Sequence, residues 1–82
     1  MTVVATAYCL TGTTATGLPV GPGIVAVDPT VIPLGTRMRI PGYGDGVAAD
    51  TGGGVKGARI DVWMASCSAA SAFTRTVTIT FL

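Results

Sequence analysis

Short runs of β-branched residues, each bounded by Gly, Pro or Asp, dominate this chain and leave almost no helical periodicity. Runs of this length and composition favour strands over helices. We predict six strands: 2–9, 23–27, 36–41, 46–50, 59–64 and 74–81. The alanine-rich "SCSAASAF" (66–73) predicts a short helix with Ser66 or Ser68 as its N-cap, and "DPT" (28–30) predicts a single helical turn. The expected fold class is mainly β with one or two short helices.

The strand pattern also contains a weak internal duplication. The strand, turn and strand of "GIVAVDPTVIPLGTRMRI" recur later as "RIDVWMASCSAASAFTRTVTI", and each copy follows one further strand. Two interlocked halves of three strands can close into a six-stranded barrel, which removes the exposed edges of so apolar a sheet. Coincidence among β-rich segments is the alternative. With 82 residues, we expect a single domain over 1–82 with one core.

The composition excludes several classes of function. The formal net charge is +1 and only 11% of residues are charged, so we expect no nucleic-acid partner. No apolar run approaches the ~20 residues needed to cross a bilayer, so we expect no membrane insertion. The opening "MTVVATAYC" lacks the basic region of a signal peptide, and we expect any targeting segment of an exported parent protein to lie outside this chain.

Histidine is absent and only two cysteines occur, so the usual zinc ligand sets cannot be assembled. We therefore expect neither a metal nor a cofactor. Cys9 and Cys67 either form one disulfide that closes a long loop, worth ~3 to 5 kcal/mol, or remain two buried free thiols. The sequence leaves both alternatives open.

Without His or Glu, acid or base chemistry near neutral pH falls to four aspartates unless a Lys, Tyr or Cys takes part. Asp45, between glycines in "GYGDG", is interpreted as a turn residue that accepts its own backbone hydrogen bonds. Asp28 is interpreted as the N-cap of the turn that follows it. Asp61 interrupts the alternation of "RIDVW", so it either faces solvent or is buried and paired with Arg59, Lys56 or a backbone amide.

Asp50 ends a predicted strand and opens the glycine-rich "TGGGVKG". Consecutive glycines let a bulky ligand approach the main chain closely, which favours a binding site beside this carboxyl. The alternative is that Asp50 only bonds Thr51 and the loop amides.

Two other signatures are superficially similar to this stretch. "AADTG" resembles the active-site motif of retroviral-type aspartic proteases, which would need a homodimer, but the expected flap and second apolar-Gly element are missing. "GGGVKG" resembles a phosphate-binding loop, but Gly57 follows Lys56 where Ser or Thr would bind magnesium. We favour neither.

Three segments, "VAVDPTVIPLGTRMRIPGYG", "AADTGGGVKG" and "RIDVW", resemble in this order the 3D domain, which is named for three aspartates. "ATAYCLTG" and "RTVTITF" extend the resemblance over nearly the whole chain. The family is similar to the catalytic region of MltA-type lytic transglycosylases, so the resemblance implies a six-stranded double-psi β-barrel. It also implies an extracellular or cell-wall location in bacteria, as in resuscitation-promoting and stationary-phase proteins.

The resemblance implies that Asp50, in the family's "DTGG" motif, is the catalytic acid and base. Asp28 and Asp61 match the other two family aspartates and would shape the site or contact sugar. The residues expected to bind substrate around them are Thr6, Tyr8, Thr51, Gly52, Gly53 and Lys56. The implied partner is the glycan strand of peptidoglycan, and we expect a monomer. The chain departs from the family at Gly54, where Ala is common, at Ala58, where Asn is frequent, and at Thr74, where Gly is usual.

One carboxyl suffices for the implied reaction, because the nucleophile is a hydroxyl of the substrate itself and attacks at high effective concentration. An ordinary glycosidase would need two carboxylates at a set separation. The alternatives are a non-catalytic glycan-binding or scaffold module and an engineered barrel. A sugar-binding module could stack its ligand on Tyr8, Tyr43 or Trp63, and Trp63 is interpreted as either a core or a surface residue.

Overall fold

The computed structural model describes all residues, 1–82, and contains seven strands and one helix. These elements are β1 (Thr2–Tyr8), β2 (Ile24–Val27), β3 (Arg37–Ile40), β4 (Gly44–Asp50), β5 (Arg59–Trp63), α1 (Cys67–Ala72), β6 (Thr74–Thr78) and β7 (Thr80–Phe81). The predicted mainly β class with a short helix is confirmed. No helix here is long and apolar enough to cross a membrane.

The strand order in the sheet is β6-β1-β5-β2-β4-β3-β7. β1 runs parallel to β5 and antiparallel to β6, and β4 likewise runs parallel to β2 and antiparallel to β3. The central pair, β2 and β5, is antiparallel. The two halves of the chain therefore repeat the same pairings around the central pair, as the duplication in the sequence predicts.

The C-terminal strand differs from the prediction, because 74–81 is divided at Ile79 into two strands. β6 pairs with β1 at one end of the sheet order, while β7 pairs with β3 at the other end. Ile79 is buried and exchanges backbone hydrogen bonds of 2.8 and 3.1 Å with Met1. This segment thus brings the two ends of the sheet together into a nearly closed barrel of seven strands rather than six, consistent with a double-psi β-barrel.

The single helix has Ser66 as its N-cap, because the Ser66 hydroxyl accepts the Ala69 N–H at 3.2 Å. Ser68 lies inside the helix. The predicted helical turn that opens at 28–30 is a single turn, in which the N–H groups of Val31 and Ile32 both donate to the Asp28 carbonyl at 2.9 Å, and it does not continue into a helix. The structure has one helix and not two.

The core fills the inside of the barrel, and its members come from β1 to β5 and from three positions outside the strands. They are Val3, Ala5, Val25, Val27, Ile32, Met38, Ile40, Ala48, Ile60, Val62, Phe73 and Ile79. Along β1 and β5 the buried residues alternate with half-buried or exposed ones, since successive side chains of a strand point to opposite faces. Thr6, Tyr8, Asp61 and Trp63 consequently lie on the outer face.

Cys9 and Cys67 form a disulfide, with Cα atoms 5.1 Å apart and a sequence separation of 58. It joins the residue after β1 to the first residue of α1. Of the two alternatives that the sequence left open, the structure therefore has the disulfide and no free thiol.

Candidate active site

Four residues lie side by side across four adjacent strands on the outer face of the barrel. In the strand register Thr6 is opposite Asp61, Asp61 is opposite Ala26, and Ala26 is opposite Asp50. We call this set, Thr6, Asp61, Ala26 and Asp50, the aspartate row. Because neighbouring strands lie ~4.8 Å apart, the Cα atoms of Asp50 and Asp61 are about 10 Å apart. The Ala26 side chain between the two carboxyl groups is small and buried.

A bulge between β2 and β4 places Asp50 in this row. Val25 is opposite Ala48, but Ala26 is opposite Asp50, so Ala49 is an extra residue in β4. With regular pairing Ala49 would occupy the row and Asp50 would be directed to the other face, since a shift of one residue exchanges the faces of a strand. Bulges re-aim side chains in this way beside functional sites.

The Asp50 carboxyl is held through one of its two oxygens. Oδ1 accepts the backbone N–H of Ala15 and that of Thr51, both at 2.9 Å. The side chain is half-buried, and no protein group donates a hydrogen bond to Oδ2. The bond to Thr51 matches the structural alternative raised from the sequence, whereas the Ala15 contact, from the 9–22 loop, was not anticipated. The carboxyl is thus oriented while one oxygen stays available to a ligand.

Asp61 is half-buried beside a hydroxyl group. Thr6 Oγ1 donates to Asp61 Oδ1 at 3.1 Å. Burial raises the pKa of Asp61, although the Thr6 hydrogen bond and the charge of Arg59 partly offset this rise. The hydrogen-bond partner is therefore Thr6 rather than Arg59, Lys56 or a backbone amide, and Arg59 acts on Asp61 through its charge alone. This carboxyl holds a proton more readily than an exposed aspartate does.

Asp28, which follows β2, uses both carboxylate oxygens. Oδ2 accepts the N–H of Gly57 at 2.9 Å, and Oδ1 accepts the N–H and the hydroxyl of Thr30 at 3.0 and 2.7 Å. These hydrogen bonds, that from Gly57 above all, lower the pKa of Asp28 to about 2. The capping role predicted for Asp28 is confirmed. Because it also ties down Gly57, which adopts a φ of +66°, Asp28 positions the glycine-rich loop and remains ionised.

Tyr8 lies on the outer face of β1, two residues beyond Thr6. Its hydroxyl is buried and has no hydrogen-bond partner in the protein. Burial, followed by the negative charges of Asp50 and Asp61, raises the pKa of Tyr8 to about 12. The phenol is therefore close enough to both carboxylates to sense their charge, and it keeps a proton that it donates to no protein group.

The remaining residues expected to bind substrate lie on the loop that follows Asp50. Thr51, Gly53 and Lys56 are exposed and Gly52 is half-buried. The loop is anchored by Val55, which is buried and donates its N–H to the Gly52 carbonyl at 3.0 Å. The glycines thus form a surface fixed at Val55 and Gly57 rather than a free loop.

Asp45 is not the turn residue predicted from "GYGDG". The turn comes earlier, where the Tyr43 N–H donates to the Ile40 carbonyl at 3.0 Å. β4 begins at Gly44, so Asp45 lies in the strand opposite Arg39. The Asp45 carboxylate forms an exposed ion pair with Arg39 Nε at 2.9 Å, which lowers the pKa of Asp45.

Two neighbouring concavities lie away from the aspartate row. The larger, of about 520 Å³, we call the aromatic groove, and it is lined by Pro22, Gly23, Tyr43, Asp45, Trp63, Met64, Ala65, Ser66 and Ala69. The smaller, of about 210 Å³, extends from it towards Arg37. None of the three aspartates expected in the site lines either one. Tyr43 and Trp63, two of the possible sugar-stacking residues, line this groove together. Sequence reasoning missed Ala69 in the lining, because only the fold brings α1 beside them.

Comparison of the sequence with known proteins identifies a family and several relatives. Residues 23–82 match the sequence model of the 3D domain. The chain is 48% identical over 80 residues to the cell wall-binding protein YocH of Bacillus subtilis, covering 87% of this chain and 28% of YocH. It is 44% identical over 79 residues to the putative cell wall shaping protein YabE of the same organism, covering 85% of this chain and 19% of YabE.

A third relative is the SPbeta prophage-derived protein YorM of Bacillus subtilis, 43% identical over 89 residues. The match covers 89% of this chain and 37% of YorM, so the chain spans well under half the length of each of these relatives. The family match includes Asp28, Asp50 and Asp61, the three carboxyl groups whose environments are described above. This chain belongs to the 3D domain family.

Proposed function

We propose that this domain cleaves the glycan strands of peptidoglycan in the manner of a lytic transglycosylase, acting as a monomer at the bacterial cell wall. The observation that carries the proposal is the oriented Asp50 carboxyl, whose Oδ1 is fixed by two N–H groups while Oδ2 has no protein partner. The names of two relatives, a cell wall-binding and a cell wall shaping protein, support the choice of polymer.

The reaction needs one carboxyl that first gives and then takes a proton. Asp50 Oδ2 protonates the bridging oxygen as the bond between C1 of the MurNAc and that oxygen breaks, which releases the GlcNAc hydroxyl. The C6 hydroxyl of the same MurNAc then attacks C1, and Asp50 takes its proton as the 1,6-anhydro ring closes. The attacking oxygen belongs to the substrate, so the site need not position a water molecule.

The neighbouring residues suit this chemistry. The Tyr8 hydroxyl is buried near Asp50 and Asp61 and donates to no protein group, which keeps a neutral phenol beside the two carboxyl groups. Burial disfavours the charged form of Asp61, which limits the repulsion between the two carboxyl groups. Asp28 acts at a distance by holding Gly57, and the loop that begins at Thr51 supplies the surface against which the glycan lies.

Digestion of purified sacculi tests the proposal with a matched pair of variants on β4. The wild-type domain and Asp45→Asn should both release anhydro-muropeptides, detected by mass spectrometry. Asp50→Asn should lose about 10² to 10⁴-fold in rate, the usual contribution of general acid–base catalysis. Full release by Asp50→Asn would contradict the assignment.

A non-catalytic wall-binding module is the second candidate. Two observations favour it: the concavities of the surface lie beside the aspartates rather than over them, and one relative is named a cell wall-binding protein. Sedimentation of the domain with sacculi, without any soluble muropeptide, would support binding alone. Reducing ends among the products would indicate a hydrolase instead.

A further inference from the structure

We propose that the aromatic groove binds a second, uncharged N-acetylated sugar ring of the same glycan strand. The inference rests on the proposed function, because it takes the aspartate row as the place where the strand is cut. It adds a binding site remote from the reacting bond, and it assigns that site to the carbohydrate rather than to the peptides attached to it.

The outer face of the barrel connects the two sites. Trp63 follows Asp61 by two residues on β5, a distance of about 7 Å along the strand. Tyr8 is opposite Trp63, just as Thr6 is opposite Asp61. Tyr8 and Trp63 therefore form an aromatic row next to the aspartate row, and the groove that Trp63 lines lies beyond them. A glycan of a few units can extend from one site to the other along this face.

Hydrogen bonds within the protein fix the walls of the groove. The Tyr43 hydroxyl accepts the Gly23 N–H at 3.0 Å and donates to the Trp63 carbonyl at 2.7 Å. Trp63 Nε1 donates to the Leu10 carbonyl at 3.0 Å, which sets the orientation of the indole ring. A site whose side chains are already ordered loses little conformational entropy when a ligand binds.

The lining indicates the chemistry of the occupant. Its volume of about 520 Å³ falls within the ~300 to 1,000 Å³ typical of ligand sites, and most of its side chains are apolar or aromatic. The one carboxylate on the rim, Asp45, is already paired with Arg39. This surface suits a neutral ring with an apolar C–H face, an N-acetyl methyl group and hydroxyls at its edge.

Trp63 is the only tryptophan, which makes its fluorescence and its indole N–H resonance direct probes of the groove. We would titrate the Asp50→Asn domain, which should not cut its ligand, with the tetramer of N-acetylglucosamine. Saturable changes in both signals are expected. Ala69→Gln, which introduces a longer side chain into the groove, should raise the Kd about tenfold, or ~1.4 kcal/mol. Ala72→Gln, exposed on the same helix but outside the groove, is the matched control and should leave the Kd unchanged.

The outcomes separate this inference from the proposed function. If the tetramer leaves the Trp63 signals unchanged while the wild type still releases anhydro-muropeptides, the groove assignment is wrong and the cleavage proposal stands. If the tetramer binds through Trp63 but no product forms, the groove assignment stands and cleavage fails. Perturbation by a free stem peptide in place of the tetramer, or equal weakening by both Gln variants, would also overturn the assignment.

Discussion

The two halves of the barrel follow the same path but carry different chemistry at equivalent positions. Thr6 on β1 corresponds to Asp50 on β4, and Ala26 on β2 corresponds to Asp61 on β5, since each pair occupies the same place in the repeated parallel pairings. One half supplies a hydroxyl and a methyl group where the other supplies two carboxyl groups. A barrel built from two similar halves can therefore carry an asymmetric site, because single residues differ at equivalent positions of the two halves.

The connections within the two halves differ as well. Between β2 and β3 the chain is held by the Asp28 carboxylate, which bonds Thr30 and Gly57. Between β5 and β6 it forms α1, whose first residue, Cys67, is covalently linked to Cys9. The connection between β2 and β3 is therefore held by an ionised carboxylate, and the connection between β5 and β6 is held by a disulfide. Each of these can be removed by substitution without changing the other.

Removing the disulfide is the change with the largest expected effect. The double variant Cys9→Ser, Cys67→Ser should lose about 4 kcal/mol of unfolding free energy, the loop-entropy value for a separation of 58 residues. Urea unfolding monitored by circular dichroism measures this loss, and reduced wild-type protein should behave like the variant. A loss below ~1 kcal/mol would mean that the helical connection needs no covalent link.

Asp28→Asn, in the connection between β2 and β3, should lower the free energy of unfolding by an amount that depends on pH. Since the pKa of Asp28 is lowered from 3.8 to about 2, its contribution is fully present above about pH 4 and is lost as the pH falls towards 2. The urea midpoint of the wild type should therefore fall more between pH 5 and pH 2 than that of the variant. Faster hydrogen exchange of the Gly57 amide in the variant would sharpen the assignment. Parallel pH profiles for the two proteins would contradict it.

Asp61→Asn should change the free energy of unfolding by a smaller amount, and at pH 7 it should raise rather than lower it. The pKa of Asp61 is raised by burial, so the folded state binds its proton more tightly than the unfolded state does. The contribution of Asp61 to the free energy of unfolding is therefore present below about pH 4. It is lost as the pH rises through the pKa that Asp61 has in the folded state. Asparagine can still accept the Thr6 hydrogen bond, so the variant should be more stable than the wild type at pH 7 and equal to it near pH 3. A variant that is less stable at pH 7 would show that burial of Asp61 carries no cost.

Local patterns in the sequence predicted most of the strands, the helix and the duplication, because periodicity and turn residues are local properties. The division of 74–81 into β6 and β7 was missed, since "TRTVTITF" looks like one strand and only barrel closure at Ile79 requires two. The predicted position of Asp45 in a turn was wrong, because the tight turn has Pro41 and Gly42 at its centre and ends before Gly44, the first of the two glycines that flank the aspartate.

The candidate site was only partly predictable. The family resemblance identified Asp28, Asp50 and Asp61, but their different roles depend on partners distant in the chain: Gly57, Ala15 and Thr6. The bulge at Ala49 and the unpaired Tyr8 hydroxyl leave no local signal, because both arise from the register between strands. Sequence reasoning therefore found which residues to consider, and the fold showed what each of them contacts.

The central claim is that Asp50 transfers a proton to and from a substrate whose own hydroxyl is the nucleophile. Digestion of purified glycan strands in H₂¹⁸O tests it most directly, because a lytic transglycosylase uses no water in bond cleavage. The account predicts 1,6-anhydro ends without ¹⁸O, formed by the wild type and by Asp45→Asn but not by Asp50→Asn. Reducing MurNAc ends carrying ¹⁸O would contradict it.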